Sequence, residues 1–238
     1  MTTPTATHVD FKEVRIVRQQ NNNKTVKGSM ERDDRDTFYK NINKKELERT
    51  LKELGVEFEV FWEKCKNDDM FAIGLAGRLA INASRQGSKD ETEQLRTCNF
   101  TTQACGVNIV NLPPTGTRPT KDGKLVSKKE MKAQNITKDY CLKSFDGEIS
   151  GEMKGFIAAK VAFGNGGHQD NVFEEMDTVA EWWKRFKKNS SDYLIILIDT
   201  DQDNKFKCIR DKYDTCDNIK VFNHVQFQEY VISNYWRK

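Results

Sequence analysis

Residues 144–163 read SFDGEISGEMKGFIAAKVAF. The run Phe156 to Phe163 is apolar except for Lys160, the composition of a strand covered on both faces. A mixed run, Tyr140 to Ile149, precedes it, and the polar, glycine-flanked SGEMKG between the two is a hairpin signal. Downstream, Asp170 to Lys188 places Val172, Phe173, Met176, Val179, Trp183 and Phe186 at helical spacing. Tyr193 to Ile198 (YLIILI) is apolar throughout and predicts a central strand. Upstream, Cys105 to Leu112 reads as a strand ended by Pro113 and Pro114, and Ser88 with Glu91 has capping-box spacing for the helix before it. Helix, strand, strand, strand, helix, strand predicts an α/β fold, an αβββαβ core around a mixed central sheet.

Working outward, Lys220 to Phe222 adds a short strand and His224 to Tyr235 a terminal amphipathic helix. Leu47, Leu51 and Leu54 fall at i, i+4, i+7 before Gly55, a helix with its C-terminal cap. A second helix follows through Val60, Phe61 and Trp62, and Met70 to Ala83 suits a buried one. The first 40 residues, with QQNNN at 19–23, read as a mobile arm or loop. The expected organisation is an N-terminal arm and helical extension over 1–68, then the core over 69–238.

The 238 residues are 32% charged and 37% apolar, with 14 Phe and 4 Trp supplying core material that a disordered chain lacks. The longest apolar run is far too short to span a bilayer, and the N-terminus lacks a signal-peptide apolar region. A cytoplasmic protein without membrane contact is expected. Six widely spaced cysteines fit reduced thiols better than disulfides or a zinc site. Asp199, Asp201 and Asp203 imitate the start of a calcium loop, but Asn204 and Arg210 stand where its glycine and glutamate belong. Net charge is only +3, yet Arg118 to Lys143 holds eight basic residues against three acidic ones.

A lone lysine inside an apolar strand is costly to bury unless paired. Asp146 lies 14 residues before Lys160, and a hairpin turning between them sets the two side by side. Five residues beyond Lys160 begins NGGHQDN, a glycine turn opening a helix whose first turn offers polar groups suited to a phosphate.

An acid in one hairpin strand, a lysine in the next, then G-G-H-Q and a Trp-containing helix before an apolar strand: this pattern resembles the PD-(D/E)XK nuclease superfamily. Among its members it looks most like a type II restriction endonuclease, over roughly residues 69 to 232. The resemblance implies Mg²⁺-dependent hydrolysis of phosphodiester bonds in double-stranded DNA at a specific sequence, by a homodimer. It makes Asp146 the first acid, Lys160 the catalytic lysine, and Asp146 with the Ala159 backbone carbonyl metal ligands.

The second acid belongs at position 158, where this chain has Ala158. IAAK is one substitution from the IEAK of the family, so an inactivated variant is the first reading. In the second, the acid comes from the following helix, where Glu174 stands at the spacing of some family branches and Glu175 beside it. The third moves the motif to Glu152-Met153-Lys154 with Asp139, a polar turn with little support for a catalytic pair. Candidate DNA contacts are Arg85, Gln86, Ser88 and Lys89 near a helix start, Arg118 and Lys121 in the proline loop, and His168, Gln169 and Asn171 after the glycine turn. Two alternatives stand beside the restriction enzyme: a repair or recombination nuclease of the same superfamily, and a catalytically degenerate DNA-binding protein.

Overall fold

The computed structural model describes residues 2–163 and 167–237, without the side chains of residues 85 and 167–170. The protein is mixed α/β: the described residues form ten α-helices, a five-stranded mixed sheet and a two-stranded ribbon. It divides into two compact units, Asp10–Gly87, and Met1–Val9 with Ser88–Lys238.

The first unit is helical: α1 (Phe11–Glu31), α2 (Arg35–Asn41), α3 (Lys44–Leu54), α4 (Phe58–Asn67) and α5 (Asp69–Leu79). The expected N-terminal arm is therefore overturned beyond residue 10. Asp10 caps α1 by accepting from the Lys12 and Glu13 amides, and Val26 and Met30, four residues apart on one face, are fully buried. Two residues of the polar QQNNN run make tertiary hydrogen bonds. Gln19 Oε1 accepts from the Ala83 amide at 2.8 Å, and Asn22 Nδ2 donates to the Ile81 carbonyl at 2.7 Å. α3 begins after Asn43 and ends at left-handed Gly55, as its spacing predicts. α5 buries one stripe, Ala72, Leu75, Ala76 and Leu79, and exposes Met70 and Ile73. The boundary expected after residue 68 falls inside this unit, between α4 and α5, whose faces share one core with α1 and α2.

The second unit runs α6 (Gly87–Thr102), β1 (Val107–Asn111), β2 (Arg118–Pro119), β3 (Leu125–Val126), α7 (Lys128–Ala133), β4 (Gly147–Gly151), β5 (Gly155–Ala162), α8 (Gly167–Phe186), β6 (Tyr193–Thr200), α9 (Asp203–Tyr213), β7 (Ile219–Phe222) and α10 (His224–Tyr235). Strand order is β1-β4-β5-β6-β7. The β1/β4 and β4/β5 pairs are antiparallel, and β5/β6 and β6/β7 parallel. β5 is thus the central strand, and β6 stands next to it.

Side chains alternate between the two faces of the sheet, with period two. Ala158, Leu194, Ile196 and Ile198 pack with Met176, Val179 and Trp183 of α8 and Ile209 and Tyr213 of α9. Ile157, Ala159, Ile195 and Leu197 pack with Leu95 and Cys98 of α6 and Phe227 and Val231 of α10. Each large apolar side chain so buried contributes about 1.5–3 kcal/mol.

The hairpin register puts Gly147 opposite Ile157. Gly155 is required there: its φ is +150°, and a Cβ would stand 2.0 Å from the Tyr193 carbonyl oxygen. The strand expected from Tyr140 begins only at Gly147. Before it the chain is tied to the proline loop, with the Leu142 amide on the Pro119 carbonyl and the Phe145 amide on that of Thr117. α9, which follows the acidic run, has no counterpart in the sequence reading. All six cysteines are free thiols. No helix of the described residues is long and apolar enough to cross a membrane.

Candidate active site

The site begins where β4 separates from β5. The Asp146 amide donates to the Ile157 carbonyl at 2.9 Å, and the Ala159 amide donates to Asp146 Oδ2 at 2.8 Å. Amide and carbonyl of one strand residue face the same edge, so the Ala159 carbonyl faces the edge that carries Asp146. Oδ1 of Asp146 keeps no protein partner among the described residues. The hairpin thus fixes Asp146 through two hydrogen bonds, one at its own amide and one at its carboxylate, before any other side chain takes part.

Lys160, near the end of β5, reaches three carboxylates. Its Nζ lies 2.5 Å from Glu91 Oε1, 3.9 Å from Asp146 Oδ2 and 3.9 Å from Glu175 Oε1. Glu91 comes from the first turns of α6 and Glu175 from α8, so the helices packed on opposite faces of the sheet both deliver an acid to the C-terminal end of its central strand. Lys143 pairs with the other oxygen of Glu175. Asp146, Lys160, Glu91, Glu175, Lys143 and Arg118 line one cleft of about 350 Å³.

Burial raises the Asp146 carboxyl to about 6; the Lys160 ammonium opposes the rise, and Glu91 and Glu175 add to it. Burial would lower the Lys160 ammonium, but Asp146, Glu91 and Glu175 outweigh it and hold the group above its ordinary value. Around Lys160 three carboxylates share one buried ammonium, which favours a proton or a further cation there, while Lys143 and Arg118 on the cleft wall bring the cleft's formal charge to balance.

The donor set, carboxylates and a backbone carbonyl, is all oxygen and fits a hard divalent cation such as Mg²⁺. Among the described residues no group of three or more acids, histidines or cysteines is already gathered around one metal position; the Lys160 ammonium stands between the three carboxylates.

A buried layer supports the site. α6 presents Glu91, Gln94, Leu95 and Cys98 at i, i+3, i+4, i+7, and the last three are fully buried. Gln94 Nε2 donates to Asp199 Oδ2 at 2.6 Å and approaches the Lys160 carbonyl at 3.4 Å. Asp199 Oδ1 lies 2.6 Å from His224 Nδ1, and His224 Nε2 accepts from the Val9 amide at 3.0 Å. Nε2 is therefore unprotonated, and Nδ1 carries the hydrogen given to Asp199. Asp199, within β6, is a structural acceptor between α6 and α10.

The expected residues separate into groups. Asp146 and Lys160 come together as predicted, and Ser88 and Arg118 line the same cleft. Ala158 is 4% exposed, on the same face of β5 as Lys160, and packs in the core beneath α8. Glu174 is exposed and borders a different cavity, with Phe173 and Lys205; its neighbour Glu175, one residue and about 100° further round the helix, faces Lys160. The Glu152–Lys154 turn stands apart from the cleft, Glu152 pairing with Arg237, and Asp139 is exposed and does not line it. Gln86 belongs to the helical unit, 3.5 Å from Asn22 Nδ2. Lys89, Lys121 and Asn171 are exposed and do not line the cleft. The side chains of Arg85, His168 and Gln169 lie outside the described residues.

Sequence reasoning missed Glu91, which reads as the acid of a capping box. α6 begins two residues earlier than such a cap requires, at Gly87, so Ser88 lies within its first turn and Glu91 turns to the buried lysine. The signal was the unpaired charge itself: Lys160 needs more acid than Asp146 supplies. No family model, curated protein or solved structure compared with the chain matches it.

Proposed function

We propose that the protein is a Mg²⁺-dependent deoxyribonuclease that hydrolyses phosphodiester bonds in double-stranded DNA at a specific sequence, in the manner of a type II restriction endonuclease with a PD-(D/E)XK core. One observation carries the reading: Asp146, Glu91 and Glu175 converge on the buried Lys160 near the C-terminal end of the central strand, inside a cleft. The order α6, β1, β4, β5, α8, β6 and the mixed strand directions agree with the αβββαβ arrangement that the sequence pattern suggests.

In this reading Glu175 takes the part of the second acid, and Ala158 is a core residue. Asp146, Glu175 and the Ala159 carbonyl would hold the Mg²⁺, which when bound supplies a Lewis acid for a phosphoryl oxygen and a more acidic water. Asp146 is held by the Ala159 amide, so its free oxygen is directed before substrate arrives. Lys160 stabilises negative charge developing on the phosphorane oxygens, and Glu91 fixes the ammonium for that task. Arg118, on the cleft wall, receives a phosphate of the bound strand. Cutting both strands at one symmetric sequence calls for a second copy of the chain, hence a homodimer.

The test is incubation of plasmid and phage DNA with Mg²⁺ and separation of the products. Discrete fragments support the reading. Cutting that follows junctions or damage would identify a repair or recombination nuclease, and tight binding without cutting a DNA-binding protein.

A further inference from the structure

Beside the candidate active site lies a second cavity of about 430 Å³, within the usual size range of ligand sites. Arg118, Lys128, Lys132 and Lys138 line it, over an apolar floor of Met131 and Ile136. Lys128 and Lys132 stand four residues apart on α7, a like-charge spacing that weakens an isolated helix. Asn135, left-handed at φ +54°, turns the chain after α7, and Lys138 returns to the same cavity. None of the three lysines has a carboxylate partner among the described residues.

The acids of this segment are used elsewhere. Glu130 closes the capping box with Ser127, Asp122 accepts from Thr120 and pairs with Lys124, and exposed Asp139 does not line the cavity. Four of the eight basic residues of 118–143 therefore line one concavity, the three lysines among them with exposed side chains. Arg118 lines both cavities, steadied by its hydrogen bond to the Pro114 carbonyl at 2.6 Å.

We infer that this cavity is a nucleoside-phosphate subsite, resting on the nuclease reading above. It takes a nucleotide of the DNA strand next to the cleft, its base or sugar on Met131 and Ile136 and its phosphates on the lysines and Arg118. Three lysines without a carboxylate partner among the described residues, with Arg118 beside them, select an anion, and the apolar floor selects one with a flat or apolar body over a bare phosphate. A free nucleotide offers the same chemistry, and the experiment separates the two sources.

The full-length chain is titrated with a short fluorescent duplex at several salt concentrations without divalent metal, and with deoxyadenosine monophosphate. Wild type is compared with the triple variant Lys128→Gln, Lys132→Gln, Lys138→Gln and with a control that loses the same charge elsewhere, Lys44→Gln, Lys45→Gln, Lys52→Gln. Thermal unfolding verifies that each is folded. The expected result is at least a tenfold loss of duplex affinity in the first triple only, with the slope of log affinity against log salt reduced by about 2 to 3. Duplex binding by the first triple equal to wild type, in affinity and slope, overturns the subsite and leaves the nuclease reading intact. Failure of wild type to bind duplex, with nucleotide binding lost in the first triple, keeps the subsite for a free nucleotide and removes the nuclease reading. Binding of neither probe overturns both.

Discussion

The Lys160 ammonium donates to the Glu91 carboxylate across 2.5 Å, with both side chains less than one-fifth exposed. The pair joins the first helix of the sheet unit to its central strand. It also sets the ammonium against the Asp146 carboxylate. Removing one member of a buried pair leaves the other uncompensated, at a cost of about 3–5 kcal/mol. Here Asp146 and Glu175 remain to receive the charge, so Glu91→Gln is expected to fold. Its steady-state cutting should fall about 10- to 100-fold through kcat, with KM changed little, because the ammonium is no longer held in place. Lys160→Met should abolish cutting and, measured by denaturant unfolding, lose stability above pH 7, where three carboxylates face one another without their cation.

Glu174 and Glu175 provide a paired comparison on one helix turn. Glu175→Gln is expected to lower Mg²⁺-dependent cutting by about 100-fold or more, on the order of 3 kcal/mol of barrier. Glu174→Gln, about 100° round the helix and outside the cleft, should cut as wild type. Initial rates on one plasmid substrate check both.

Asp146 gives the pH dependence. Its folded-state value of about 6 lies above its ordinary 3.8, so the protonated form stabilises the fold. That stability is fully present below about pH 4 and is lost as pH rises through 6. Asp146→Asn mimics the protonated group, so the thermal midpoint of wild type should fall between pH 4 and 7 relative to that variant. The gap at pH 8 is on the order of 1–3 kcal/mol. Cutting needs the carboxylate and should rise over the same window in wild type.

A divalent cation binding to the carboxylate form offsets the same penalty. At pH 8, Mg²⁺ should raise the unfolding temperature of wild type, by mass action. Neither Asp146→Asn nor Glu175→Gln should respond as strongly, and at pH 5 the effect on wild type should shrink. Calorimetric scans with Mg²⁺ and with a chelator read this directly.

Much of the sheet was legible because its signals are local. FIAAKVAF and YLIILI are apolar runs of strand length, and both form strands. The hairpin between glycines brings Asp146 to Lys160 as its spacing requires. α1 was not legible, since QQNNN carries no apolar periodicity and is satisfied by hydrogen bonds to residues some 60 positions away. Nor was Glu91 as a site residue. Ser88 and Glu91 fit a cap equally well by spacing, and only the start of α6 at Gly87 decides otherwise. Glu175 against Glu174 turned on the angular setting of α8, which a count from Lys160 does not fix.

Whether Glu175 supplies the second acid, with Ala158 as core, is tested most directly by comparing the cutting of phage DNA by wild type, Glu175→Gln and Ala158→Glu in Mg²⁺. Discrete fragments are expected from wild type, cutting slower by about 100-fold or more from Glu175→Gln, and no gain from Ala158→Glu, which places a carboxylate in the apolar core beneath α8. Fragments from Ala158→Glu alone would contradict this, assigning the second acid to position 158 and making this chain an inactivated form.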